Sequence, residues 1–545
     1  MRRVLLIIFA VGFMLSCEQK DLVEIPFVWD GANIYFMLTD RFNNGDSSND
    51  INFDRDKETA VLRGFMGGDL KGVTQKINEG YFNELGINAI WMTPVVEQIH
   101  EGTDENTGFT YGYHGYWTKD WTTLDPNFGS EDDLKELVET AHKNGIRILL
   151  DAVINHTGPV TDIDTVWPEE WVRTEPKCEF QSYESTVTCT LVKNLPDIKT
   201  ESDNSVTLPP QLVSKWKEEG RYDQEVAELD AFFTRTNYPR APRFYIMKWL
   251  TDYITDYGID GYRVDTVKHT EEYVWQEFRT QCDYAFGQWK QDNAEAVLDD
   301  NGFYLVGEVY NYNISHGRAY DFGDRKVDYF DKAFDALINF ELKYNAAQQD
   351  YETMFSRYSE MLYNDKGIGT LNYFTSHDDG QPFDKERTKP YESATKLLLT
   401  PGAAQVYYGD ESARTLIVEG TSGDATLRSF MNWEKIENDE KTKAILEHWQ
   451  KLGKFRANHT SVGAGIHKML TESPYVFSRT YQDKEYQDQV VVGLDLNEGE
   501  KEINVGTIFQ NGDTLRDAYS GMETKVNDGM VNLTTPYSIV LLERI

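Results

Sequence analysis

Cysteine is scarce, with 4 in 545 residues, and none of the four has metal-ligand spacing. That excludes a structural zinc site built on thiolates. Basic residues are also few: 54 Lys and Arg face 91 Asp and Glu, a formal net charge of −37. Such a surface repels phosphate backbones, which excludes nucleic acid as a partner. The same acidity suits solubility in an extracellular setting, or oxygen ligands for a hard cation. Beyond the first 15 residues, no apolar run is long enough to cross a bilayer.

The N-terminus reads as a targeting segment. Arg2 and Arg3 form a basic start, Val4 to Leu15 are apolar, and Ser16-Cys17 follow. This pattern predicts a bacterial lipoprotein signal peptide over 1–16, lipid on Cys17 and a tether over 17–27. The expected location is the cell envelope, lipid-anchored on a periplasmic or surface face; the alternative is a secreted protein with an incidental cysteine. Cys178 and Cys189, near Tyr183, Val187 and Thr188, read as a hairpin staple for an oxidising compartment. Cys282 is left as a buried free thiol.

Aromatics are plentiful at 13%, with 12 Trp, 32 Tyr and 28 Phe. They suit either a large core or rings that stack on flat ligands such as carbohydrate. From about Val28 the chain alternates short β-branched or aromatic runs with amphipathic stretches. Strands are expected at Ile34–Leu38, Ala89–Met92, Ile148–Val153, Gly261–Val264, Tyr304–Gly307, Ala336–Phe340, Leu371–Thr375 and Ala404–Tyr407. Between them lie helical patterns such as Glu131–Asn144, where Leu134, Leu137, Val138 and Ala141 recur at helical spacing and Gly145 caps. Eight strand–helix repeats predict an α/β fold, a (β/α)8 barrel. The long break from His156 to about Asp260 reads as a small inserted domain. Residues 471–545 read as short alternating strands of an all-β sandwich. The expected division is barrel over 28–156 and 246–455, insertion over 157–245, and β-sandwich over 456–545.

In such a barrel, charged residues at the C-terminal ends of strands form the active site. Here they accumulate: Asp151, Asn155 and His156 after the third strand, then Arg263, Asp265, Lys268 and His269 after the fourth. Glu308 follows the fifth, and His377, Asp378 and Asp379 follow the seventh. A lone strand-end Asp caps a helix as readily as it catalyses. Four strands ending this way point to chemistry.

The motifs DAVINH (151–156), GYRVDTVKH (261–269), GEVY (307–310) and FTSHDD (374–379) resemble, in order, the four signature regions of the α-amylase family, glycoside hydrolase family 13. LPDIKT (195–200) resembles its fifth motif. IYFMLTDRF (34–42), GGDLKG (67–72) and YHGYW (113–117) match further family segments. Leu195 makes the insertion more like those of secreted and periplasmic α-amylases than of oligo-1,6-glucosidases.

The resemblance implies Asp265 as nucleophile, Glu308 as acid and then base, and Asp378 as the carboxylate that grips the sugar 2- and 3-hydroxyls. Arg263 would hold Asp265 ionised, and His114, His156 and His377 would hydrogen-bond the sugar. Tyr116 would stack on it, with Lys268 and His269 on the leaving-group side. Cleavage would retain the α configuration, with the two carboxyls roughly 5–5.5 Å apart. It also implies structural Ca2+ on Asn155, Asp197 and the His269 carbonyl. A second calcium loop would use Asn44, Asp46, Asn49, Asp50 and Asp69, where two positions exchange Asp and Asn. The expected substrates are starch, glycogen or maltooligosaccharides, cut internally at α-1,4 bonds by a monomer. The alternatives are an exo-acting or transglycosylating relative, or a surface glycan-binding lipoprotein.

Overall fold

The computed structural model describes residues 25–545, apart from Glu105, Asp365, Lys366 and Glu485. The signal peptide and Cys17 expected at the N-terminus lie outside the described residues. All eight expected strands form: β1 (Asn33–Met37), β2 (Ala89–Met92), β3 (Arg147–Ala152), β4 (Gly261–Val264), β5 (Tyr304–Gly307), β6 (Ala336–Asn339), β7 (Thr370–Tyr373) and β8 (Ala403–Tyr407). Each pairs in parallel with its sequence neighbour, and β8 closes on β1. Every residue of these strands is buried, as a sheet covered on both faces requires.

The helices outside the barrel explain themselves locally. The helix α1 (Glu131–Lys143) opens on a capping box of Ser130 and Asp133, carries acids in its first turn, and buries Leu134, Leu137, Val138 and Ala141. Its chain reverses through Gly145, at φ 72°. The helix α2 (Pro242–Tyr257) starts on a proline and stops at Gly258, φ 75°.

Register then sets the chemistry. Arg263 on β4 stands level with Asp151 on β3 and Val306 on β5. Asp265 and Glu308 each follow one residue beyond the last paired position, so both emerge at the same height. The close spacing of β4 and β5 needs a glycine at 261, where a Cβ would lie 2.5 Å from the Tyr304 carbonyl oxygen.

The insertion between β3 and β4 holds a two-stranded sheet, Val172–Arg173 with Asp197–Ile198, and two longer helices, Pro210–Glu218 and Tyr222–Thr236. The expected boundary at 245/246 falls inside α2. Cys178 and Cys189 are disulfide-bonded, and Cys282 is a buried free thiol. The segment they close is a short helix, Glu184–Val187, rather than a hairpin. The reason is local: the Ser182 carbonyl accepts from the Thr186 hydroxyl at 2.7 Å, and the Ser185 hydroxyl takes the Ser182 amide at 2.9 Å.

Ten of the twelve tryptophans are buried. Several join insertion to barrel, with Trp121 edge-on to Trp167 at 5.5 Å and Trp171 stacked over Trp249 at 6.2 Å. The aromatic richness is therefore mostly core.

The helix Glu440–Asn458 runs across the boundary expected at 456, and the C-terminal strands start at Ile466. A six-stranded antiparallel sheet and a separate two-stranded one, Gly499–Asn504 with Met530–Thr535, bury one apolar cluster between them. Val476, Val491, Leu515 and Val540 come from one layer, and Ile503, Val531 and Leu533 from the other. That is a sandwich.

Candidate active site

A cavity of about 630 Å³ opens at the C-terminal end of the barrel. It is lined by His114, Tyr116, His156, Asp265, Lys268, His269, Glu308, His377 and Asp378, all expected from the sequence. Arg263 lies beneath them, fully buried, and organises the floor. Its Nη1 donates to Asp151 Oδ1 at 2.9 Å and to Asp265 Oδ1 at 2.7 Å, while Nη2 lies 3.0 Å from Glu308 Oε2. One guanidinium thus faces three carboxylates. Asp151 is further held by the Tyr116 hydroxyl at 2.7 Å and the Trp91 indole N–H at 3.2 Å.

The carboxylates are pushed apart electrostatically. Burial, opposed by Arg263 and reinforced by the charges of Asp265 and Asp378, raises Glu308 to about 8. Burial would also raise Asp378, but His377, Arg263 and a hydrogen bond from Ser376 prevail and lower it. The Asp378 side chain is 39% exposed at the mouth of the cavity. Thr266, between Asp265 and the following turn, has a left-handed φ of 49°. That is a strained conformation for a β-branched residue, and it aims the Thr266 amide at Glu308 Oε2, 3.0 Å away.

Burial lowers His114 and His156, and brings His377 and His269 down to about 4. All four rings are therefore neutral at pH 7, suited to hydrogen bonding an uncharged ligand. Tyr116 stacks on His377 with ring centroids 5.3 Å apart. Lys268 Nζ donates to the Tyr310 carbonyl and the Tyr320 hydroxyl, both at 3.3 Å.

Sequence reasoning missed several lining groups. Phe180 and Leu191 enter from the insertion, Tyr310 and Asn311 from the loop after β5, and Asp424 and Arg428 from a 3-10 turn. Arg428 donates to the His377 carbonyl oxygen at 2.9 Å and so fixes that loop. None sits in a periodic segment. Asp151 was legible as a strand-end acid, but its ion pair with Arg263 emerges only from the register.

Two places were expected to hold calcium. At the first, one terminal atom of the Asn155 amide lies 2.9 Å from the His269 carbonyl oxygen and 3.3 Å from Asp197 Oδ1. In one orientation of the amide its nitrogen donates to both; in the other its oxygen converges with theirs. Three converging oxygens fit a hard cation. The other oxygen of Asp197 pairs with Arg173 Nε at 2.8 Å.

At the second, the five residues do gather, but their charge is already answered. Asp69 accepts from the amides of Asp46 at 2.8 Å and Gly72 at 2.6 Å, capping the helix Leu70–Asn78. Asp46 pairs with Lys71 at 2.6 Å, and Asp50 accepts from Asn44 at 2.8 Å. This loop therefore does not fit a second calcium without displacing Lys71. Among the described residues, no group of three or more His, Cys, Asp or Glu side chains could hold a metal.

Residues 36–460 match the family model described as "Alpha amylase, catalytic domain". The chain is 35% identical to the periplasmic alpha-amylase of Escherichia coli K12, over 88% of this chain and 74% of that protein. It is 24% identical to a cyclomaltodextrin glucanotransferase of Thermoanaerobacterium thermosulfurigenes, over 88% of this chain and 62% of that protein. In fold it is similar to the α-amylase of Geobacillus thermoleovorans solved with acarbose. That likeness has TM-score 0.64 and 23% identity, over 95% of this chain and 99% of that one. The family model spans most of the sequence and its motifs converge on one cavity: the chain belongs to the α-amylase family and is a glycoside hydrolase.

Proposed function

We propose that the protein hydrolyses internal α-1,4-glucosidic bonds of starch, glycogen or maltooligosaccharides by double displacement. The observation that carries this reading is the pairing of Asp265 and Glu308 on one buried guanidinium, with Glu308 raised to about 8. Asp265 attacks C1 and forms a β-glycosyl-enzyme as the C1–O bond to the leaving chain breaks. Glu308 gives its proton to that oxygen, then takes one from the water that attacks C1 and frees Asp265. Two inversions return the α anomer. Asp378 and the neutral His114, His156 and His377 hold the sugar hydroxyls. Lys268 and His269 serve the leaving-group side.

Asn155, Asp197 and the His269 carbonyl would hold a calcium ion. Its role is structural, since it would tie the insertion to the loop that follows Asp265.

A lipid anchor on Cys17 would fix the enzyme in the cell envelope. The Cys178–Cys189 disulfide and the periplasmic relative support a site outside the cytoplasm.

Early products from soluble starch test the cleavage mode. A ladder of maltooligosaccharides is expected. One dominant product, linear or cyclic, would favour the exo-acting or transglycosylating alternative, which the glucanotransferase relatives keep in view.

A further inference from the structure

Lys268 and His269 are consecutive, yet each leans on a different segment outside the barrel. His269 Nδ1 lies 3.1 Å from the Thr186 carbonyl oxygen, in the loop closed by the Cys178–Cys189 disulfide. A carbonyl oxygen only accepts, so Nδ1 carries the proton and Nε2 is left bare. Phe180, from the same loop and at a left-handed φ of 56°, meets the His269 ring edge-on at 5.6 Å. Lys268 instead donates to the Tyr320 hydroxyl at 3.3 Å. Tyr320 belongs to a hairpin that follows β5, Ala319–Asp321 paired with Lys326–Asp328.

Among the described residues this hairpin pairs with no other strand, so side chains decide how it docks. Its base is held by Arg318, which ion-pairs with Asp328 at 2.8 Å. Its tip is held by Tyr183, from inside the disulfide loop. The Tyr183 amide donates to Asp324 Oδ1 at 2.8 Å. The ring packs edge-on against Phe322 at 5.1 Å and lies 4.0 Å from the Arg325 guanidinium. The hydroxyl donates to the Glu272 carboxylate, which also ion-pairs with Arg325. Phe322 in turn packs edge-on against Tyr320 at 5.0 Å, so the contact reaches the residue that holds Lys268. Loop and hairpin are thus fastened at one residue, and Asp265, Glu308 and Asp378 take no part in these contacts.

We infer that Tyr183 is a positioning residue: it clasps the disulfide loop to the hairpin and so sets Lys268 and His269 against the departing chain. The inference rests on the reading of Lys268 and His269 as leaving-group contacts given above.

Two substrates separate this role from a merely structural one. Maltotetraose loses a sugar leaving group, whereas α-maltosyl fluoride loses fluoride and places no sugar on that side. Tyr183→Ala is expected to lower kcat/KM for maltotetraose by about tenfold, within what a small misplacement costs, and to leave that for the fluoride unchanged. Tyr183→Phe keeps the ring beside Arg325 and should recover most of the loss. Arg325→Ala opens the clasp from the hairpin, at a side chain that is 45% exposed, and should be selective in the same way. Tyr183→Ala added to Lys268→Ala/His269→Ala should cost nothing further, since it acts through those two residues. Equal falls on both substrates, or unchanged maltotetraose rates in Tyr183→Ala and Arg325→Ala, overturn the clasp. If Lys268→Ala/His269→Ala keeps the wild-type rate on maltotetraose, the leaving-group reading fails, and the clasp with it.

Discussion

Two regions of this barrel are crowded with acids, and they differ in what answers the charge. In the loop over 44–69, Lys71 and backbone amides answer Asp46 and Asp69. Around Arg263, one guanidinium serves Asp151, Asp265 and Glu308, while Asp378 stands open at the cavity mouth. The first arrangement is a capped, self-sufficient turn. In the second, burial beside the charges of Asp265 and Asp378 outweighs Arg263 and drives Glu308 up to about 8, which is the condition for proton transfer near neutral pH. Acid density alone does not mark a site; a buried carboxyl held protonated at a cavity does.

The largest effect should come from removing the shared cation. Arg263→Ala leaves three buried carboxylates without their cation. Removing one partner of a buried pair costs about 3–5 kcal/mol, so denaturant unfolding should show a loss of that order together with loss of turnover on starch. Retained activity and stability would mean that Arg263 does not organise the floor.

The next effect is on pH dependence. Glu308 titrates at about 8 in the folded protein against an ordinary 4.5. As the general acid it is protonated below about 8, so kcat/KM should fall as pH rises through that value. Linkage has the same sign. The folded state keeps a proton that the unfolded chain releases, so Glu308 contributes stability at low pH that is lost as pH climbs from about 4.5 to about 8. Glu308→Gln removes this, so its melting temperature should gain on wild type across that window. A constant difference would contradict the shift.

A smaller effect separates the two regions by metal. Chelation should lower the melting temperature by several degrees in wild type and not in Asn155→Ala. Asp69→Ala should keep the wild-type response to chelator and its kcat, and lose only about 1 kcal/mol of stability with the helix cap. A chelator response abolished by Asp69→Ala would place calcium in the loop after all.

Much of this was legible because burial and charge leave marks on sequence. Each barrel strand is a short apolar run covered on both faces, and strand ends shifted by only a residue or so, as at Asn33 and Thr370. Asp265 and Glu308 stood out because a charge directly after such a run is costly without a use.

What was not legible lies in loops. Phe180, Asp424 and Arg428 carry no periodicity, and their meeting depends on how far segments reach across the barrel mouth. The staple over Cys178–Cys189 was misread as a hairpin because serine and threonine hydroxyls, not β propensity, decide its backbone. The boundary expected at 456 lies within the helix Glu440–Asn458, whose pattern continues past that point.

The measurement that bears most directly on the Arg263 cluster is the anomeric form of the first product. Maltooligosaccharides released from starch by wild type would be followed by proton NMR before mutarotation, beside Asp265→Asn and Glu308→Gln. The account predicts the α anomer from wild type and rates lower by roughly 10⁴-fold in both variants. A β anomer, or variants as fast as wild type, would contradict the assignment of nucleophile and acid.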